Sequence, residues 1–172
     1  MHQKNLWQDN SKEKITFSNL KKSITTDLVI IGGGFTGCSA ALSAAKNGLS
    51  VTLIDQKIGY GGSGRNVGLV NAGLWMPPEK VESILGLEAG VKLNKALATA
   101  PDLVFSLIDN YEINCSANRS GTLHCAHSKK GLKDIQLRFK QLSERGAELE
   151  LFDRQQTQKR IGSSKFFGSL FN

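Results

Sequence analysis

Gly32, Gly34 and Gly37 form a G-x-G-x-x-G turn, and Asp55 closes the apolar run that follows it. Residues of these types at this spacing can hold the diphosphate and sugar of a nucleotide. Gly32 permits a tight turn, Gly34 has no Cβ to push phosphates away, and Gly37 lets a helix press against a strand. The free N–H groups at the start of that helix, and its dipole, favour negative charge. Asp55, roughly 20 residues on, is placed to accept hydrogen bonds from the ribose hydroxyls of an adenosine. A carboxylate there repels a 2′-phosphate, which disfavours an NADP-type ligand.

The elements needed to position these groups are present. Asp27-Leu28-Val29-Ile30-Ile31 reads as a strand, and Phe35 to Asn47 as a helix rich in Ala and Ser. Gly48 suits the left-handed position after a helix end, and Val51-Thr52-Leu53-Ile54 reads as a second strand. A glycine turn in an ordinary βαβ unit is the competing reading, and the flanking context argues against it. A second glycine block follows from Ile58 to Gly68, with Ser63, Arg65 and Asn66 among the glycines. In a simple nicotinamide-binding fold another helix and strand come here. A glycine-rich loop instead can wrap a long dinucleotide, offering backbone N–H groups to the diphosphate and to a ring beyond it. Arg65 is suited either to a negative charge on a reduced ring or to a phosphate. A mobile surface loop is the alternative.

Bulk properties bound the remaining classes. The chain has 172 residues, 40% of them hydrophobic, and a net charge of +7. That is enough for a sizeable core and is ordinary for a soluble globular protein. No apolar stretch approaches the ~20 residues of a membrane span. Residues 1–25 are polar (Lys4, Asp9, Lys12, Glu13, Lys14, Lys21, Lys22), without the apolar core of a secretory signal, so a cytoplasmic protein is expected. Cys38, Cys115 and Cys125 are an odd count at unrelated spacings, which argues against a disulfide framework. His124, Cys125 and His127 lack a second ligand pair, so no metal site is assigned. The basic excess of residues 128–165 lies opposite an apolar stripe of Leu132, Ile135, Phe139 and Leu142, as on the solvated side of an amphipathic helix. No aromatic is interleaved as a base-stacking platform requires, so no nucleic-acid partner is expected.

Three segments are read along the chain: a polar lead-in over 1–25, with Leu6-Trp7 able to dock on the body; a cofactor-binding βαβ unit and glycine-rich loop over 26–75; and a helical and mixed α/β segment over 76–172. Leu69–Gly73 reads as a short extended piece, and Pro77-Pro78 start a helical turn. Residues 87–113 have helical spacing, with Pro101 expected to break them into two helices. Strands are expected at Gly121–Ala126 and Glu148–Phe152, helices at about 130–145 and 153–161, and a last apolar run at Phe166–Phe171. The fold class is α/β, Rossmann-like, with a parallel sheet that two strands leave incomplete. The final apolar run either awaits a covering segment or completes a small sheet with the other late strands.

The stretch Ile30-Ile31-Gly32-Gly33-Gly34-Phe35-Thr36-Gly37, with Leu53-Ile54-Asp55 and Gly62-Ser63-Gly64-Arg65-Asn66, resembles the D-amino-acid oxidase/glycine oxidase/sarcosine oxidase family of FAD-dependent oxidoreductases. It is most similar to the γ-glutamylputrescine oxidase-like branch. Arg119-Ser120-Gly121-Thr122-Leu123, Ala126-His127-Ser128, Leu151-Phe152-Asp153-Arg154 and Ile161-Gly162-Ser163 extend the similarity over nearly the whole chain. The resemblance implies FAD as cofactor and a small-molecule amine or amino acid as substrate, oxidised by hydride transfer to the flavin. It implies that Gly32, Gly34, Gly37 and Asp55 hold the ADP half of the cofactor, and that Phe35, Thr36 and Gln56 also bind the cofactor. Ser63, Gly64, Arg65 and Asn66 then lie near the flavin-side phosphate and ring. Members are longer chains, so this sequence corresponds to an N-terminal portion whose C-terminal half, or a partner chain, supplies most substrate contacts. No catalytic acid or base is assigned, and Tyr60 and Tyr111 have no motif support. A nicotinamide-dependent dehydrogenase and a non-catalytic nucleotide-binding fragment are the alternatives.

Overall fold

The computed structural model describes residues 5–13 and 16–172; Lys4 and Lys14 of the polar lead-in lie outside the described residues. The chain divides into two compact units, Met1–Leu69 and Val70–Asn172.

The first unit begins with a short helix, α1 (Leu6–Asn10), capped by the Asn5 side chain. Strand β1 (Leu28–Ile31), helix α2 (Phe35–Lys46) and strand β2 (Val51–Ile54) follow, and the two strands pair in parallel, Leu28 with Val51 through Ile31 with Ile54. This is the expected βαβ unit. A carboxylate fastens each end of the strand pair. Asp27 Oδ2 accepts from the Ser50 amide at 2.8 Å and hydroxyl at 2.6 Å. Asp55 Oδ2 accepts from the Gly33 amide at 2.6 Å. Only one side of the sheet is covered. Along β1 the side chains alternate half-buried and exposed, and Ile31 is 88% exposed although the strand is entirely apolar. Doubly wound sheets carry helices on both faces, so this sheet is incomplete.

The second unit is mixed. Helices α3 (Pro78–Leu85) and α4 (Leu87–Asn110) lead to strand β3 (Leu123–Ala126), helix α5 (Lys129–Ser143), strand β4 (Glu150–Phe152), helix α6 (Arg154–Ile161) and strand β5 (Gly168–Phe171). The last apolar run is the central strand of an antiparallel sheet of order β3-β5-β4, so the late strands do complete a sheet of their own. Helix α5 lies against one face, where Leu132 reaches Gly168. Helix α6 lies against the other, where Thr157 and Ser169 share a buried hydroxyl hydrogen bond of 2.8 Å. Leu170 is 1% exposed and is among the most buried side chains described. The stretch before α3, Leu69–Gly73, carries no strand pairing.

One expectation is corrected. Residues 87–110 form a single helix that runs through Pro101. A proline inside a helix lacks the N–H that would bond the carbonyl four residues back. Here that carbonyl belongs to Leu97, and the Gly73 amide donates to it at 3.3 Å. A donor from outside replaces the missing one, and the helix continues. Polar bonds fix α3, α4 and α5 together. Glu82 accepts from both Asn94 and Arg145 at 3.0 Å, and Gln141 donates to Glu79 at 2.9 Å.

Candidate functional site: the glycine turn, the start of α2 and the glycine-rich loop

Gly32 leaves β1 with a φ of +107°, a conformation glycine adopts at little cost, and its amide donates to Ile54 O at 2.7 Å. Gly34 is the N-cap of α2 and makes no side-chain cap. At Gly37 the helix passes so close to the turn that an added Cβ would lie 1.8 Å from the Gly32 carbonyl oxygen. The turn therefore does what its three glycines foretold, bringing bare backbone to a helix start. An anion there meets the positive end of the helix dipole and N–H groups without intrahelical acceptors.

The structure also brings Ser63 to this place. Its Oγ accepts from the Phe35 amide at 3.1 Å and stands 2.9 Å from where a Gly34 Cβ would be. A hydroxyl that accepts with its oxygen still has a proton to donate, so Ser63 can cap the helix and contact an anion at once. Ser63–Arg65 form a short 3-10 turn. Gly64 lies against the Gly59 carbonyl, which a Cβ would approach to 2.0 Å. Asn66 Nδ2 donates to Ser63 O at 2.6 Å, and its Oδ1 accepts from the Gly68 amide at 2.7 Å.

Asp55 follows β2, and its oxygens accept from the Gly33 and Lys57 amides, both at 2.6 Å. The Gly33 bond, then that from Lys57, holds its carboxyl below the usual carboxylate range, so it is ionised at neutral pH. Each oxygen keeps acceptor capacity for a further donor such as a sugar hydroxyl. Thr36 lies in the first turn of α2 and is exposed, as is Gln56 beside Asp55. The Arg65 guanidinium stands over the Tyr60 ring, 5.3 Å from its centroid. Lys57 stands over the same ring at 4.0 Å. The Tyr60 pairing and the Lys57 amide were not foreseen, since neither a cation–ring contact nor a backbone donor has a sequence pattern.

In the second unit, His124 and Cys125 lie on β3 rather than in a ligand cluster. Burial pushes the Cys125 thiol up, making it a weak nucleophile at neutral pH. His124 packs edge-on against Trp75, with ring centroids 6.0 Å apart. Burial, and then the charge of Arg138, lower its pKa from the ordinary 6.5. The folded state therefore binds this proton less readily than the unfolded chain. Stability is expected to be complete above about pH 7 and to fall as the pH drops through the ordinary histidine value. His124→Asn should flatten that part of a stability profile taken by denaturant unfolding. An unchanged slope would show that His124 contributes nothing to it.

The bare turn, the helix start, the Ser63 hydroxyl and the Asp55 carboxylate are thus brought together in one place. The chain belongs to the DAO family of FAD dependent oxidoreductases, whose pattern matches residues 27–172. The family's cofactor is FAD, which decides between the flavin and nicotinamide readings. The chain is 27% identical over 173 residues to gamma-glutamylputrescine oxidoreductase of Escherichia coli (strain K12), across 99% of this chain and 40% of that protein. To the probable oxidoreductase OrdL of Rhizobium meliloti (strain 1021) it is 31% identical over 157 residues, across 90% of this chain and 36% of that protein. Among solved structures, glycine oxidase from Geobacillus kaustophilus superposes with a TM-score of 0.66 at 17% identity, over 85% of this chain and 38% of that one. That last likeness is one of fold alone. The chain thus spans about two fifths of the length of the curated relatives it matches.

Proposed function

We propose that this chain is the cofactor-holding portion of an enzyme that oxidises a small amine or amino acid with FAD. The observation that carries the reading is the meeting of Ser63 with the Gly34–Phe35 helix start. It joins the two glycine motifs, otherwise far apart in sequence, at one anion-binding point. Family membership and the names of the relatives supply the reaction class. The bound flavin supplies the acceptor for a hydride taken from the carbon that bears the amine nitrogen.

This chain's own residues bind and orient. Backbone N–H groups at Thr36 and Gly37 face the diphosphate, and the Ser63 hydroxyl, whose oxygen accepts from the Phe35 amide, donates to it. Asp55, with Gln56 beside it, takes the adenosine ribose hydroxyls. Gly64, Arg65 and Asn66 shape the flavin side. Residues 26–75 form the cofactor-binding part and 76–172 the beginning of a substrate domain. Reacting groups for the amine come from outside these 172 residues, so a chain of this length alone binds cofactor without turning over substrate. Among the described residues no helix is long and apolar enough to cross a membrane.

Titration of the purified chain with FAD, followed by visible absorption, tests the reading. Saturable binding is expected, and ADP should compete. Asp55→Ala should weaken both ligands by roughly tenfold to a hundredfold, the worth of hydrogen bonds to a charged group. Equal affinities for the parent and the Asp55→Ala variant would remove Asp55 from the site. Amine oxidation by the chain alone would refute the division of labour.

A further inference from the structure

Helix α1 is remote in sequence from the glycine-rich loop but reaches it at both ends. The Trp7 indole N–H donates to the Asn66 carbonyl at 2.8 Å. The same ring lies against Gly68, whose φ is +78° and whose added Cβ would meet the indole at 2.7 Å. At the other end of the loop, Asn5 Nδ2 donates to the Gly59 carbonyl at 3.3 Å, and Gln8 Nε2 to the same oxygen at 3.5 Å. Asn66 passes the constraint on. With its carbonyl fixed by Trp7, its side chain bridges Ser63 O and the Gly68 amide. Ser63 in turn holds the start of α2. A continuous run of hydrogen bonds therefore joins Trp7 to the Phe35 amide.

We infer that Trp7 is a positioning residue for the cofactor: it holds the Ser63–Asn66 turn so that Ser63 stands at the start of α2, ready for the flavin side of FAD. The inference rests on the FAD reading above. Trp7 reaches the Gly32–Gly37 turn only through Ser63, at the flavin-side phosphate, and makes no described hydrogen bond to Asp55, so it serves that end of the cofactor and leaves the adenosine to Asp55. A glycine-rich loop has many conformations to lose on ordering. Holding it in one beforehand reduces what binding must overcome.

The test compares the full chain with Trp7→Ala, Trp7→Phe and Gly68→Ala. In the absence of ligand, amide hydrogen exchange in the 59–68 segment should rise tenfold or more in Trp7→Ala, while β1 and β2 keep the exchange of the parent. By calorimetric titration, FAD affinity should fall roughly tenfold, while the affinity for AMP, which lacks the flavin-side phosphate, stays level. Gly68→Ala should reproduce this with the indole present, because its Cβ displaces the ring. Trp7→Phe, which keeps a ring but no N–H, should fall between. Unchanged loop exchange, or unchanged FAD affinity in Trp7→Ala, overturns the inference. Parallel loss of FAD and AMP binding also overturns it, since that is what a general structural role produces. A parent chain that binds neither ligand overturns the FAD reading itself, and this role with it.

Discussion

Gly37→Ala should destabilise the βαβ unit by about 3 kcal/mol, the upper range for overpacking, and abolish FAD binding. The added Cβ would lie 1.8 Å from Gly32 O, 3.0 Å from its carbonyl carbon and 3.3 Å from Ile30 Cγ2. Two of those atoms are backbone of the turn itself, so relief requires α2 to move off β1. The start of the helix then leaves Ser63, and the bond from the Phe35 amide to Ser63 is lost with the packing. Gly61→Ala is the control: nothing lies within 4 Å of its Cβ position and its φ is not positive. Its effect should stay within about 0.5 kcal/mol. Urea unfolding with FAD titration measures both variants. Gly37→Ala matching Gly61→Ala would show that the turn in solution is more open than the one described.

Leu170→Ala should cost the second unit about 2–5 kcal/mol, the range for emptying a buried leucine site. Leu170 sits in the middle strand at 1% exposure, paired with His124 on one side and Leu151 on the other. Few side chains share its burden. Among the described residues the buried apolar ones are Pro78, Val81, Ala126, Phe152 and Leu170. Leu137, on α5 and 49% exposed, supplies the comparison. Its alanine variant should shift stability by well under 1 kcal/mol. Amide exchange at 168–171 reads the loss directly. Equal protection of those amides in the two variants would contradict the placement of Leu170 at the core.

Much of this was legible because it depends on local chemistry. The three glycines, the small residues of α2 and the apolar runs on either side specify a βαβ unit through contacts within about 30 residues. Helix α6 was legible for the same reason: Asp153 and Gln156 form a reciprocal capping box and Gly162 ends it in a left-handed conformation. What stayed hidden depends on contacts between distant segments. Pro101 was expected to stop a helix, and only the three-dimensional arrival of the Gly73 amide at Leu97 keeps it whole. The sheet order β3-β5-β4 likewise places the last strand between two earlier ones, a choice that alternation of side chains does not express. Within the site, glycine spacing announced the turn. The link from Ser63 to Phe35 joins residues 28 positions apart and has no periodic signature.

The chain has two tryptophans, and they fall one to each unit: Trp7 on the glycine-rich loop, and Trp75 beside His124 with the Arg138 guanidinium 5.9 Å from its ring. The indole of Trp75 is 78% exposed, yet its carbonyl is held by Arg138. Intrinsic fluorescence therefore contains two separable signals. Trp75→Phe leaves an emission that reports the glycine-rich loop alone, and Trp7→Phe leaves one that senses the charge state of the neighbouring imidazole. The polypeptide thus carries its own pair of optical probes, one for each half.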